Sequence, residues 1–194
     1  MNPVLSNIKT GNRISHNCLK KRSATSCQPT SFNLSSGKSS MNSKSSYISN
    51  GYISCSNLNW LRDMINLKEL VSNGVDLSAS TSTMNWAEPI SRMYNLRQLQ
   101  LSDCRISSPI PVNQLINLTH LYYLQMGSNF LASSIPIQLA NLTSLSSLDL
   151  TNSHLHGPIT YFPQLQELYV NDNPMPPSIS FPFLLSQCCT YKRF

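Results

Sequence analysis

The stretch "LTHLYYLQMGSNFLASSIP" (Leu118–Pro136) decides the fold. Its apolar residues fall at Leu118, Leu121, Leu124, Met126, Leu131 and Ile135, in steps of three, three, two, five and four. A helix keeps to three and four, and a strand keeps to two. A spacing that mixes them describes one turn of a coil whose local shape changes along its length. Such a coil has to recur, because a single turn cannot enclose its own apolar side.

The pattern does recur, as Leu-x-x-Leu-x-Leu-x-x-Asn-x-Leu. "LTSLSSLDLTNSHLHGPI" repeats it with Leu145, Leu148, Leu150, Leu155 and Ile159, and "LRQLQLSDCRISSPIP" with Leu96, Leu99, Leu101, Ile106 and Ile110. "LQELYVNDNPM" supplies Leu165, Leu168, Val170 and Met175. "LKELVSNGVDL" supplies Leu67, Leu70 and Leu77, with Ser72 where an apolar residue belongs. The first leucines stand at 67, 96, 121, 145 and 165, at intervals of 29, 25, 24 and 20.

Each part of the pattern has a physical reason. Leu-x-Leu is a short strand, with two apolar residues facing into the coil and the residues between them facing out. The chain then turns, and an Asn there can bond backbone groups that the turn leaves unpaired. The next Leu and the Ile-Pro return inward, Pro fixing φ without needing an amide partner. In "IQLANLTS", Leu139 and Leu142 come inward from the far side. Asn129 and Asn173 fit the Asn position, whereas Val75, Cys104 and Ser153 replace it. Val75 cannot bond, so the first coil is expected to be the least regular, its long interval holding a surface loop at "SASTSTMNWAEP" with Trp86 packed back. Trp60 is expected to pack at the start of that coil.

This pattern resembles the leucine-rich repeat, and its Ile-Pro form resembles the plant-specific type. The resemblance runs from about Leu61 to Ile179 and includes "NLT" at Asn117 and again at Asn141. "NLNWLRDMINLKEL", "GVDLSAS", "PVNQLINLTHL", "PIQLANLTSLSSLDL" and "GPITYFPQLQELYV" look like the ectodomain of a plant receptor-like protein. The resemblance implies an α/β-repeat solenoid: right-handed, of about five coils, with a curved parallel sheet on its concave face. It also implies a place at the outer face of the plasma membrane, in defence or developmental signal perception. The implied partners are a peptide or protein ligand and a receptor-kinase co-receptor. A soluble inhibitor or decoy, like the plant polygalacturonase inhibitors of the same repeat type, is the alternative, as is a non-functional gene fragment. The signal peptide and disulfide-bonded cap with which that family begins are not recognisable, and kinase signatures are missing. A truncated product with both coil ends uncapped is therefore expected.

Composition divides the chain. Residues 1–60 carry seven Lys or Arg, no acid and 15 Ser, so the net charge of +6 belongs to the first third. Residues 1–52 are read as a Ser/Lys-rich, mostly disordered leader, 53–180 as the repeat domain, and 181–194 as a tail or truncated next repeat. Such a leader buries too little apolar surface to offset the entropy of ordering it. "LKKR" at Leu19–Arg22 lacks interleaved aromatics, so no nucleic-acid partner is assigned. No early apolar run makes a secretory signal, and no run of about 20 apolar residues makes a membrane span.

Chemistry-bearing residues are few. Cys104 is read as a structural, buried thiol. Cys18 and Cys27 can pair only in a secreted context, and neighbouring Cys188 and Cys189 are too close to bond each other. His154 and His156 flank inward Leu155 and are read as exposed, without the third ligand a metal needs. No metal, cofactor or catalytic residue is assigned, and the chain is read as not an enzyme. Sequons stand at Asn33, Asn117 and Asn141. The outward strand positions remain. Gln98, Gln100, Asp103, Tyr123, Gln125, Asp149, Asn152, Glu167, Tyr169 and Asp172 are the candidate ligand-binding residues of the concave face, with Glu69, Val71, Ser102, Ser128 and Ser147 in the same register. This polar, acidic face suits a basic peptide or a polar protein surface.

Overall fold

A computed structural model describes residues 13–14, 27–29, 53–55, 57–62, 64–81, 86–159, 161–174 and 190–191. Each coil contributes one three-residue strand to a parallel sheet: β4 (Glu69–Val71), β6 (Gln98–Gln100), β7 (Tyr123–Gln125), β8 (Ser147–Asp149) and β9 (Glu167–Tyr169). The register aligns Leu70, Leu99, Leu124, Leu148 and Leu168 across neighbouring strands. Between strands the chain crosses behind the sheet in single helical turns, at Ile90–Arg92, α2 (Val112–Leu115) and Ile137–Asn141. Leu115, Leu139 and Leu142 come inward from this side and are buried. The core is one continuous column of the apolar positions from Leu58 to Val170.

The coils are joined beyond the strands proper. The amides of Ser72 and Gly74 donate to the carbonyls of Gln100 and Ser102, and those of Leu101 and Asp103 to Gln125 and Gly127. The same pairs recur from Met126 and Ser128 to Asp149 and Thr151, and from Leu150 and Asn152 to Tyr169 and Asn171. Gly127 allows one of these approaches, since a Cβ there would lie 3.0 Å from the Thr151 carbonyl oxygen.

After each strand the chain is turned by a residue in the left-handed region: Gly74 (φ 72°), Asp103 (53°), Ser128 (55°), Asn152 (52°) and Asp172 (57°). Gly, Asp and Asn suit that conformation. The ladder residue then points inward. Asn129 Nδ2 donates to the carbonyls of Leu101 and Met126, both at 2.8 Å, and its Oδ1 accepts from the amides of Cys104 and Ile106, both at 3.0 Å. Asn173 repeats the geometry with Leu150, Val170, Ser153 and Leu155. Where the residue is Ser153 or Cys104, only half of this survives in the side chain. Ser153 Oγ donates to Met126 O and Cys104 Sγ to Ser72 O. Ser153 Oγ does not take over the accepting role of Asn, and Cys104 Sγ offers the amides of Val75 and Gly74 only a weak sulfur acceptor. The backbone carbonyls of Ser153 and Cys104 instead accept from the amides of Leu131 and Leu77.

The first coil departs as expected and for a visible reason. Val75, buried without a polar group, sits in β5 (Val75–Asp76), which pairs in parallel with β3 (Ile53–Cys55). Backbone pairing supplies there what an Asn would. β3 in turn pairs antiparallel with β2 (Cys27–Pro29), completing a second, three-stranded sheet. The insertion is not wholly a loop, since Ser78–Thr81 form α1, and Trp86 is buried with Nε1 donating to Ser108 Oγ. The side chain of Trp60 lies outside the described residues.

Two short strands lie at the sheet's edges. β1 (Arg13–Ile14) pairs in parallel with β4, and β10 (Thr190–Tyr191) with β9. These correct the expectation of bare coil ends. Most of the leader, 1–52, lies outside the described residues; within it Arg13–Ile14 and Cys27–Pro29 are short strands. β10 holds the sheet position next to β9.

Asn129→Ala would leave two amides and three carbonyls without this partner inside the core, each unmade bond costing about 1–3 kcal/mol. The urea midpoint is expected to fall by the equivalent of about 3 kcal/mol or more with an unchanged m-value. Ser153→Ala is expected to cost about 1 kcal/mol, because the backbone keeps the accepting role.

Candidate functional site

Strand register converts the outward residues into rows. The first strand positions give Glu69, Gln98, Tyr123, Ser147 and Glu167; the third give Val71, Gln100, Gln125, Asp149 and Tyr169. The Gln, Tyr and carboxylate members are half-buried, shielded by one another. Ser147 corrects the expectation of an open position: it is buried, with Oγ donating to Glu167 Oε2 at 3.0 Å. Gln125 Nε2 donates to Asp149 Oδ2 at 3.1 Å, while Asp149 Oδ1 accepts from the Thr151 amide at 3.0 Å. Gln98 Nε2 donates to Tyr122 Oη, and Gln100 Nε2 to Gln98 Oε1 at 3.5 Å. Asn73 Nδ2 donates to Gln100 Oε1 and its Oδ1 accepts from the Ser102 amide.

These bonds orient the side chains from one coil to the next. Tyr123 stands where Asp149, Glu167 and Tyr169 converge. Burial first, then the charges of Asp149, Tyr169 and Glu167, push its phenol above the usual value, so it remains an O–H donor. The strand rows and the three residues that follow each strand hold Glu69, Asp103, Asp149, Glu167 and Asp172 and no Lys or Arg. The face can therefore accept hydrogen bonds and attract cations along its length.

Among the candidate residues, Asp103, Asn152 and Asp172 sit apart from the rows. They are exposed at the left-handed turn after the strand, and their residue type is explained by that conformation. Of the row between, Asn73, Ser102, Gly127, Thr151 and Asn171, sequence reading assigned only Ser102. Ser102 Oγ and Asn171 Oδ1 are enclosed there without a hydrogen-bond partner among the described residues. It also missed pairing on the flank beyond the ladder. Arg105 Nη1 lies 3.0 Å from Asp76 Oδ2. His154, exposed as expected, packs against exposed Phe130 with ring centroids 4.6 Å apart and the rings tilted by 48°. His156 is exposed too, its Nε2 3.1 Å from the Ala132 carbonyl oxygen. Only an alignment of coils of unequal length would have brought these pairs together. Among the described residues no group of three or more His, Cys, Asp or Glu is arranged to hold a metal.

Asn117 and Asn141 are exposed, as are their sequon partners Thr119 and Thr143; Asn33 lies outside the described residues. Among the described residues no helix is long and apolar enough to cross a membrane.

No family model matches the chain. A probable LRR receptor-like serine/threonine-protein kinase of Arabidopsis thaliana is 32% identical over 95 residues, 47% of this chain and 9% of the relative. Receptor-like protein 41 of the same plant is 37% identical over 90 residues, 42% of this chain and 10% of the relative. The matches thus span about a tenth of those relatives' length. Among solved structures, PEPR1 in complex with AtPEP1 superposes with a TM-score of 0.50 and 26% identity, over 66% of this chain and 18% of that one. The HAESA ectodomain from Arabidopsis superposes with 0.51 and 21%, over 70% and 27%. The fold is that of a plant receptor's leucine-rich-repeat ectodomain. Within that solenoid, the rows described above form the strand-bearing, concave face.

Two titratable groups in the repeats give checks. Burial pushes the Cys104 thiol up to about 12, so at pH 8 it is unionised and enclosed. Iodoacetamide is expected to label Cys104 at least 100-fold more slowly in the native chain than in urea. For Asp76, burial raises the carboxyl, but hydrogen bonds from the Ser78 hydroxyl and amide and the Arg105 charge outweigh it, and the net shift is downward. A folded pKa below the unfolded one contributes stability that is present above about pH 4 and lost as pH falls through the folded value. Arg105→Gln is expected to move the Asp76 titration upward, read from its carboxyl carbon by NMR.

Proposed function

We propose that this chain is a peptide- or protein-binding leucine-rich-repeat module of a plant cell-surface receptor-like protein, without catalysis of its own, serving defence or developmental signal perception. The observation that carries this reading is the strand face, where three carboxylates (Glu69, Asp149 and Glu167) and two tyrosines are held in register with no basic residue among them. Five strands about 4.8 Å apart span about 19 Å, the length of roughly six residues of extended peptide at ~3.3 Å each. A face this small falls short of the ~800 Å² per partner of a standard protein interface, which favours a peptide as ligand.

The ligand proposed is a basic, extended peptide lying across the strands. A cationic side chain is received between Asp149 and Glu167, with Tyr123 and Tyr169 giving rigid contact area. Gln98, Gln100 and Gln125 bond its backbone. Asp103, Asn152 and Asp172 line the rim at the turns. The resemblance of this region to PEPR1, solved with AtPEP1 bound, supports ligand binding as the class of activity. Partnership with a receptor-kinase co-receptor and exposure at the outer face of the plasma membrane follow from the same reading, as do glycans on Asn117, Asn141 and Asn33.

Titration calorimetry of the full chain against hexapeptides of matched hydrophobicity tests it. A Lys/Arg-containing peptide is expected to bind at least tenfold tighter than its Asp/Glu counterpart, with affinity falling as salt rises. The double substitution Asp149→Lys, Glu167→Lys is expected to abolish that preference with the circular dichroism spectrum retained. Equal binding of both peptides, or a preference that survives in a folded double variant, would overturn the assignment.

A further inference from the structure

The rim that leads into the strands carries charge of the opposite sign. Its residues stand in register, because the amides of Arg97, Tyr122, Ser146 and Gln166 donate in turn to the carbonyls of Lys68, Arg97, Tyr122 and Ser146 at 2.8–2.9 Å. Neither this row nor the turn positions before it, at 65–66, 94–95, 119–120, 143–144 and 163–164, hold an Asp or Glu. Its two cations, Lys68 and Arg97, are neighbours, and neither has an ion-pair partner among the described residues. Glu69 is the carboxylate closest to them along the chain. The same end collects apolar surface. Ile65, Tyr94 and Tyr122 are 52%, 58% and 40% exposed, and they make up half of the large hydrophobics that the described residues leave open.

We propose, resting on the strand-face reading, that the peptide ligand is bipolar. Its basic residue lies between Asp149 and Glu167, and an acidic residue about five positions away lies on Lys68 and Arg97, with an apolar neighbour against Ile65 and Tyr94. The register sets that spacing. The midpoint of Lys68 and Arg97 is three strand spacings from the midpoint of Asp149 and Glu167, about 14 Å at ~4.8 Å each. It is also set back along the strands by about two residues, or ~7 Å. The diagonal is therefore about 16 Å, the length of roughly five extended residues. That exceeds the Debye length of ~8 Å at physiological salt, so the two charge centres do not cancel each other. A ligand with its charges at this spacing is attracted at both ends. One with the charges exchanged meets like charge at both.

Titration calorimetry of the full chain with end-blocked peptides, whose termini add no charge, tests this. The probes are acetyl-Lys-Ser-Ser-Ser-Ser-Glu-Leu-amide, its reversed sequence for the opposite chain direction, the form of each with Gln for Glu, and an isomer of each with Glu moved beside Lys. In one direction the spaced Glu peptide is expected to bind at least fivefold tighter than both its Gln form and its isomer. The double substitution Lys68→Gln, Arg97→Gln is expected to remove that gain with the circular dichroism spectrum retained, while the Gln form still binds better than a peptide with Gln for Lys as well. Lys68→Glu, Arg97→Glu is expected to favour Lys in place of the peptide's Glu. A Glu peptide no tighter than its Gln form or its isomer in either direction, or a gain that survives in the folded Gln variant, overturns the bipolar ligand and leaves the strand-face reading standing. A wild-type chain that binds the Gln form no better than the peptide lacking Lys overturns both.

Discussion

Everything in this solenoid depends on pairing the backbone where each strand bends away from the sheet. At that bend the chain leaves the regular ladder while still inside the protein, and unpaired amides and carbonyls there would be costly. A carboxamide at the bend solves this because it donates and accepts at once. Asn129 and Asn173 each join the bend of their own coil to that of the coil before. The leucines can then pack, since their positions are fixed by the bend on one side and by the strand on the other. Burial stabilises the column, while the polar bend fixes its geometry.

The outer face inherits its order from the same constraint. Strands held in register bring Gln125 beside Asp149 and Ser147 beside Glu167. Side chains that would wander on an isolated strand are oriented before any ligand arrives, which lowers the entropy lost on binding. The carboxylates are kept apart from basic groups by row. Lys68 and Arg97 stand just before their strands, off the rows themselves.

What could be read from sequence followed the repeat. Every apolar position assigned inward from Leu67 to Val170 is buried, and the Asn ladder with its Cys104 and Ser153 replacements sits where the spacing put it. The spacing reports only which way a residue faces within its own coil. It was silent on Ser147, which is covered by a residue of the next coil, and on Asp76–Arg105 and Phe130–His154, which meet across intervals of 29 and 24. The turn residues Asp103, Asn152 and Asp172 looked like binding residues because they are polar and outward, yet left-handed backbone selects the same types. The second sheet was invisible because β2 and β3 carry no periodic signal and pair across long sequence separations.

The alternation of ladder residues gives the coil a grain. Carboxamide clamps tie the turn at Leu96 to the turn at Leu121, and the turn at Leu145 to the turn at Leu165. Between these doublets a hydroxyl stands in, and at the front a thiol, each with a main-chain oxygen beside it. Strain from pulling or heating would therefore concentrate at the junctions between doublets. The rod would come apart two turns at a time, as a zipper with every second tooth made of a softer metal.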